Sequence, residues 1–277
     1  MSATIPGASG AAGGSGHSGG AEAPGGAGAP GASGERTPAE RNRRAGAAQP
    51  HGRTLAVVRA LLRKELLVEL RTLESVPGMA LFAVTTFVVF HFALNRDSVD
   101  GDLAAGILWV TLLFAAILGV NRLFVADADQ GGFDAFLLAP VDRSAMLFAK
   151  VLTLLAYLFV LELVAVPAFG LLLLGPSLGH ALPALIGVLA LGDLGIAAIG
   201  TLVAALAVQT RARDLLGPLL ALPLLVPIVI GGARASSPLL ALGHSSGPAV
   251  RWLLTLGLYD LVFGLIAFAL FDFLLED

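Results

Sequence analysis

Three carboxylates, Glu162, Asp193 and Asp260, interrupt runs of this chain that are otherwise apolar. A carboxylate among aliphatic side chains is expensive to ionise, so in a membrane span it marks a proton relay, a hydrogen bond between helices or a cavity wall. No lysine or arginine lies deep in the same runs to neutralise them. Proton relay and interhelical hydrogen bond both stay open for all three. In a proton-coupled secondary transporter Glu162 and Asp193 would carry the proton. That class often has repeated halves with broken helices, and no convincing repeat is present here.

Other chemistries fall away. Histidines stand at positions 17, 51, 91, 180 and 244, none with a second ligand at helical spacing. His91, His180 and His244 are read as water-facing residues at one membrane surface. There is no cysteine, hence no disulfide, zinc thiolate cluster, thiolate haem ligand or Cys-x-x-Cys-His attachment. No GxxxxGK[ST] phosphate loop occurs, so the chain does not hydrolyse ATP by that route. No serine–histidine pair falls inside the apolar runs, as an intramembrane hydrolase requires. No catalytic residue, resident metal or nucleic-acid partner is therefore expected; any of His91, His180 and His244 could ligate a metal or haem, so cofactor-binding residues stay open.

The elements that must position the three acids are membrane spans. Hydrophobic residues are 56% of the chain and charged residues 13%, with a mean hydropathy of +0.85, well outside the range of soluble domains. Six runs, at about 77–94, 103–125, 146–174, 181–208, 215–232 and 251–272, are long enough to cross hydrocarbon roughly 30 Å thick. The expected fold is an all-α polytopic protein with the six spans in one domain, 77–277. Gly187, Gly192, Gly195 and Gly200 in the fourth span let neighbouring helices approach closely. Pro218, Pro223 and Pro227 predict a kink in the fifth.

Basic residues set an orientation. Residues 1–75 hold nine of the seventeen Lys and Arg. With the N-terminus cytoplasmic, the cytoplasmic loops add Arg122, Arg143, Lys150, Arg211 and Arg213, against only Arg96, Arg234 and Arg251 outside. Both termini are thus expected in the cytoplasm, with 95–102, 175–180 and 233–246 facing out. Residues 1–50 carry thirteen glycines among Ala, Ser and Pro, a composition expected to be disordered. It also lacks the apolar core of an export signal. Within 51–76, Leu55, Val58, Leu62, Leu66, Leu70 and Leu73 recur at helical spacing, with Arg59, Arg63, Lys64, Glu65 and Glu69 elsewhere around the wheel. This predicts an amphipathic helix lying in the membrane interface against lipid.

Between the second and third spans lies a polar interruption, 121–150, reading NRLFVADADQGGFDAFLLAPVDRSAMLFAK. A Gly131-Gly132 turn leads into Phe133, Asp134, Phe136 and Leu137, and Pro140 ends the segment. A short amphipathic turn pinned between two spans cannot bury its apolar face alone. Its expected use is docking a partner protein, with Arg122 at its start.

The stretch 106–110 (GILWV), Arg122-Leu123-Phe124, residues 127–140, and Ala149-Lys150 together resemble the cytochrome c maturation permease family, haem exporter protein B (CcmB). That family belongs to the six-span ABC-2-type exporters. The likeness runs from about residue 53 to the C-terminus and includes the prolines of the fifth span and the basic loop 209–213. Asn121 and Asp134 stand where the family usually has glutamate, and Asp260 is unexpected in a last span. The resemblance implies a non-catalytic membrane subunit in a bacterial inner membrane, ATP acting only through a partner ATPase (CcmA-like). Haem would be the handled substrate, with CcmC-, CcmD- and CcmE-like haem-handling proteins and a second permease copy as partners. It gives residues 131–140 the role of coupling to the ATPase, and it leaves open whether haem crosses or a haem-loaded chaperone is released.

Overall fold

The computed structural model describes residues 50–72, 75–96, 98–129, 143–175, 178–208, 213–241 and 247–274, all within the unit Ala48–Asp277. The glycine-rich tail through residue 49 and the expected docking turn at 131–140 lie outside the described residues. Among the described residues every regular element is helical: α1 Pro50–Thr72, α2 Ser75–Leu94, α3 Gly101–Asp129, α4 Arg143–Phe169, α5 Leu178–Val208, α6 Arg213–Ser236 and α7 Val250–Leu274. A π-helical turn, Gly170–Leu174, extends α4, and a 3-10 turn, Ser237–Leu239, extends α6. The chain is an all-α polytopic membrane protein with six helices long and apolar enough to span a bilayer.

α3 forms the centre of the bundle. Of its apolar window 72% is buried inside the protein, against 17% for each of α2 and α7. It packs on α2, α4, α5 and α6. Small residues allow this: Ala104, Ala105, Ala115 and Ala116 are fully buried, and in lipid such positions let backbones meet. Trp109 is the large exception. Its indole fills the space where a Cβ would stand on both Gly192 of α5 and Gly232 of α6, and its Nε1–H donates to Ser236 Oγ at 3.0 Å. Ser236 in turn donates to the Gly232 carbonyl at 2.8 Å.

That arrangement corrects one boundary. The fifth span, expected to stop at 232, stays helical to Ser236 and turns on through Leu239. The Gly231-Gly232 pair looks like a terminator in sequence but serves as the close-approach surface for Trp109. The three prolines sit inside one unbroken helical assignment. Pro227 has no N–H to offer the preceding turn, and the neighbouring Leu224 carbonyl accepts a hydrogen bond from Tyr259 Oη at 2.7 Å.

Much of the polar interruption is helical: α3 continues to Asp129 and α4 is already helical at Arg143. Charged side chains at the end of a span do not break its backbone ladder; they only leave the hydrocarbon. Lys150 is not in a loop at all, but buried on α4 at 3% exposure.

Candidate functional site

Glu162 on α4 and Asp193 on α5 face one another across a groove. Each sits close to the midpoint of its span, Ala145–Leu174 and Leu178–Ala207 respectively. Both side chains line the same groove, with no lysine or arginine among its walls. Asp193 is buried at 7% exposure, and Glu162 Oε1 is buried without a hydrogen-bond partner. The groove has a volume of about 460 Å³, and Leu155, Phe159, Leu163, Val166 and Pro167 form one wall. Leu178, Leu182, Ile186, Leu189 and Ala190 form the other. Pro167 lies within α4 and brings no N–H to the turn before it.

Asp260, also near its span's midpoint, lies apart from that pair. Its carboxylate packs against Gly195, where Oδ1 occupies the place of an absent Cβ. Neither oxygen has a hydrogen-bond partner, although the residue is only 6% exposed. Gly195 and Asp193 are two residues apart, which puts them on different sides of α5. The helix therefore presents one acid to α4 and makes room for another from α7.

At one end of the bundle, α1 is fastened to the spans by its glutamates. Lys150 Nζ meets Glu65 Oε1 at 3.1 Å, and Lys64 reaches the same oxygen at 3.5 Å. Glu69 Oε1 accepts from the backbone N–H of Ser75 at 2.9 Å and of Val76 at 2.8 Å. These are orphan donors at the start of α2, where a negative charge is also favoured by the helix dipole. The expected wheel is thus rotated: Glu65 and Glu69 face inward with Leu62 and Leu66, while Leu55, Leu67 and Leu70 are exposed. A periodicity count assigns glutamates to the solvent face because it cannot foresee Lys150 and two free amides.

The opposite end is closed by backbone bonds, Val99 N–H to Leu173 O at 2.8 Å and Gly101 N–H to Leu240 O at 3.1 Å. His91 belongs here and is not the water-facing residue expected. Its Nδ1 lies 2.6 Å from the Leu172 carbonyl, so the ring donates from that nitrogen. His180 is exposed. Among the described residues no three His, Cys, Asp or Glu side chains converge as metal ligands would. Arg122 is exposed near the end of α3, and beside it Asn121 Oδ1 lies 3.1 Å from where a Cβ would stand on Gly217 of α6. Gly131, Gly132, Phe133, Asp134, Phe136, Leu137 and Pro140 are outside the described residues.

A profile of the CcmB protein family matches residues 56–271, from α1 through all six spans. The chain belongs to the CcmB protein family. Among individual relatives, the Bradyrhizobium diazoefficiens "Heme exporter protein B" is 31% identical over 216 residues, covering 78% of this chain and 96% of that protein. Proteins of the same name from Rhodobacter capsulatus and Paracoccus denitrificans are 33% and 37% identical, over 181 and 164 residues. These cover 64% and 57% of this chain, and 81% and 72% of the relatives. The CcmB match takes in the Glu162–Asp193 pair, Asp260, Trp109 and the glutamates of α1. Sequence reasoning singled out the acids but missed the Trp109 wedge, whose signal was the coincidence of one tryptophan with Gly192 and Gly232 in helices of similar depth.

Proposed function

We propose that this CcmB family member is the membrane permease subunit of an ATP-driven complex of cytochrome c maturation. The observation that carries the reading is the family match across 56–271, reinforced by relatives named heme exporters over most of their length. The chain has no phosphate loop of its own, so ATP-derived work arrives through a contact with a separate ATPase, for which residues 131–140 supply apolar anchors with a charged rim. Haem, or the haem-loaded chaperone whose release is driven, is the handled substrate. Haem-handling membrane proteins complete the assembly. The distribution of Lys and Arg supports a bacterial inner-membrane protein with both termini cytoplasmic.

Pull-down of the ATPase with wild type and with Phe136→Asp tests the coupling role. Weakening of at least tenfold, with membrane insertion unchanged, is expected; equal recovery of the ATPase would sink it. A second reading, proton-coupled transport, is favoured by one observation, the Glu162 and Asp193 carboxyls lining one groove. It requires substrate movement in vesicles driven by a pH gradient without the ATPase, abolished by Glu162→Gln.

A further inference from the structure

We propose that the groove between α4 and α5 is the seat of a partner's membrane-spanning helix that carries a lysine or arginine near its middle. The inference stands on the groove alone and uses neither the ATPase nor haem.

Shape comes first. The groove follows α4 from Leu155 to Pro167 and α5 from Leu178 to Asp193, about 18 Å and 22 Å at 1.5 Å per residue. It is therefore a trough parallel to the spans over more than half the hydrocarbon thickness. It opens sideways, between exposed rims: Phe159 is 64% exposed and Leu163 68%. An elongated apolar occupant aligned with the spans fits that trough, and a neighbouring helix has that form.

Polarity then selects the occupant. The charged side chains on the walls are two carboxyls and nothing else, Asp193 and Glu162, with Glu162 Oε1 unmet. What is absent is a donor with positive charge. Lys150 is committed to Glu65 and lies about three turns from Glu162 along α4. A second copy of this chain brings no lysine or arginine near the middle of any span, and an acyl chain brings no donor. A basic residue in a partner helix is itself costly in hydrocarbon until paired. The two costs cancel when the helices associate, and polar side chains act in this way as glue between spans. The pairing also rejects a purely apolar helix, since that occupant would seal the acids away from any donor.

The test uses the full chain in phosphatidylcholine vesicles. Because it has no cysteine, Ile186→Cys on the groove rim takes a single donor dye. The probes are synthetic polyleucine spanning helices with lysine, leucine or glutamate at the centre, each bearing an acceptor dye. Energy transfer to the lysine helix is expected at a concentration at least tenfold lower than to the leucine helix, with the glutamate helix weakest. Glu162→Gln with Asp193→Asn should remove the lysine preference while the protein keeps its elution profile and helical circular dichroism. Equal transfer to lysine and leucine helices would overturn the proposal, as would a lysine preference that survives the double variant. Transfer between separately labelled copies of the chain, undiminished by excess lysine helix, would give the groove to a second copy and overturn it too. If the double variant fails to fold, the single Glu162→Gln variant decides by the same comparison.

Discussion

Lys150 Nζ stands 3.1 Å from Glu65 Oε1, joining residues far apart in the chain, with the lysine side chain 4% exposed and the glutamate 12%. A pair this enclosed is asymmetric in its consequences. Removing the lysine leaves Glu65 with Lys64 at 3.5 Å, so the loss is partial, while removing both members costs less still.

Lys150→Met should destabilise the purified protein by about 1–2 kcal/mol, less than the loss of an uncompensated buried charge, because Lys64 still reaches Glu65 at 3.5 Å. Lys150→Met combined with Glu65→Leu should recover most of the loss. Thermal unfolding in detergent, followed by loss of the monodisperse peak, measures both. A double variant as unstable as the single one would mean that the pair is not a unit.

Glu69→Ala should cost about 1–2 kcal/mol, the range for losing a helix cap, because two amides at the start of α2 lose their acceptor. Glu69→Gln keeps an acceptor oxygen and should cost less. Hydrogen exchange at Ser75 and Val76 reports the cap directly: their protection should fall in the alanine variant and persist in the glutamine one.

Gly232→Ala places a methyl group where the Trp109 indole lies. Overpacking of this kind typically costs about 1–3 kcal/mol. Trp109→Leu should relieve it, so the double variant should unfold at a higher temperature than Gly232→Ala alone. If the substitutions were additive, α3 and α6 would not share this contact.

Asp260→Ala removes a buried carboxylate that lacks hydrogen-bond partners. The expected outcome is a gain of about 1 kcal/mol, since an unmet buried polar group is a net cost, measured by thermal unfolding in detergent. A stability loss instead would show that the carboxylate has a structural partner.

A cysteine at Ser98 should react with an impermeant maleimide added outside intact cells, and one at Arg122 only after the inner face is opened. The reverse pattern would invert the orientation drawn from the basic residues.

The spans were legible because hydrocarbon imposes a length and an apolarity that any sequence must display. The acids at 162, 193 and 260 were legible for the same reason, as expensive exceptions. Which acid meets which was not, because helix-to-helix register between α4 and α5 leaves no period in the chain. The inward face of α1 was not legible for a related cause. Hydrophobic periodicity finds apolar stripes, whereas Glu65 and Glu69 are buried by specific donors, a lysine from α4 and the amides of α2. Trp109 escaped notice because a glycine's role as a receiving surface depends on what a distant helix delivers to it.

That indole has a practical consequence. The chain has two tryptophans, and Trp252 lies near the start of α7 with the Arg251 guanidinium 5.4 Å from its ring centre. Trp252→Phe would leave a single fluorophore at the junction of α3, α5 and α6, with its N–H held by Ser236. Any rearrangement that separates these helices would wet the ring and red-shift its emission. The bundle thus contains its own optical gauge of opening, readable in the purified chain without an added dye.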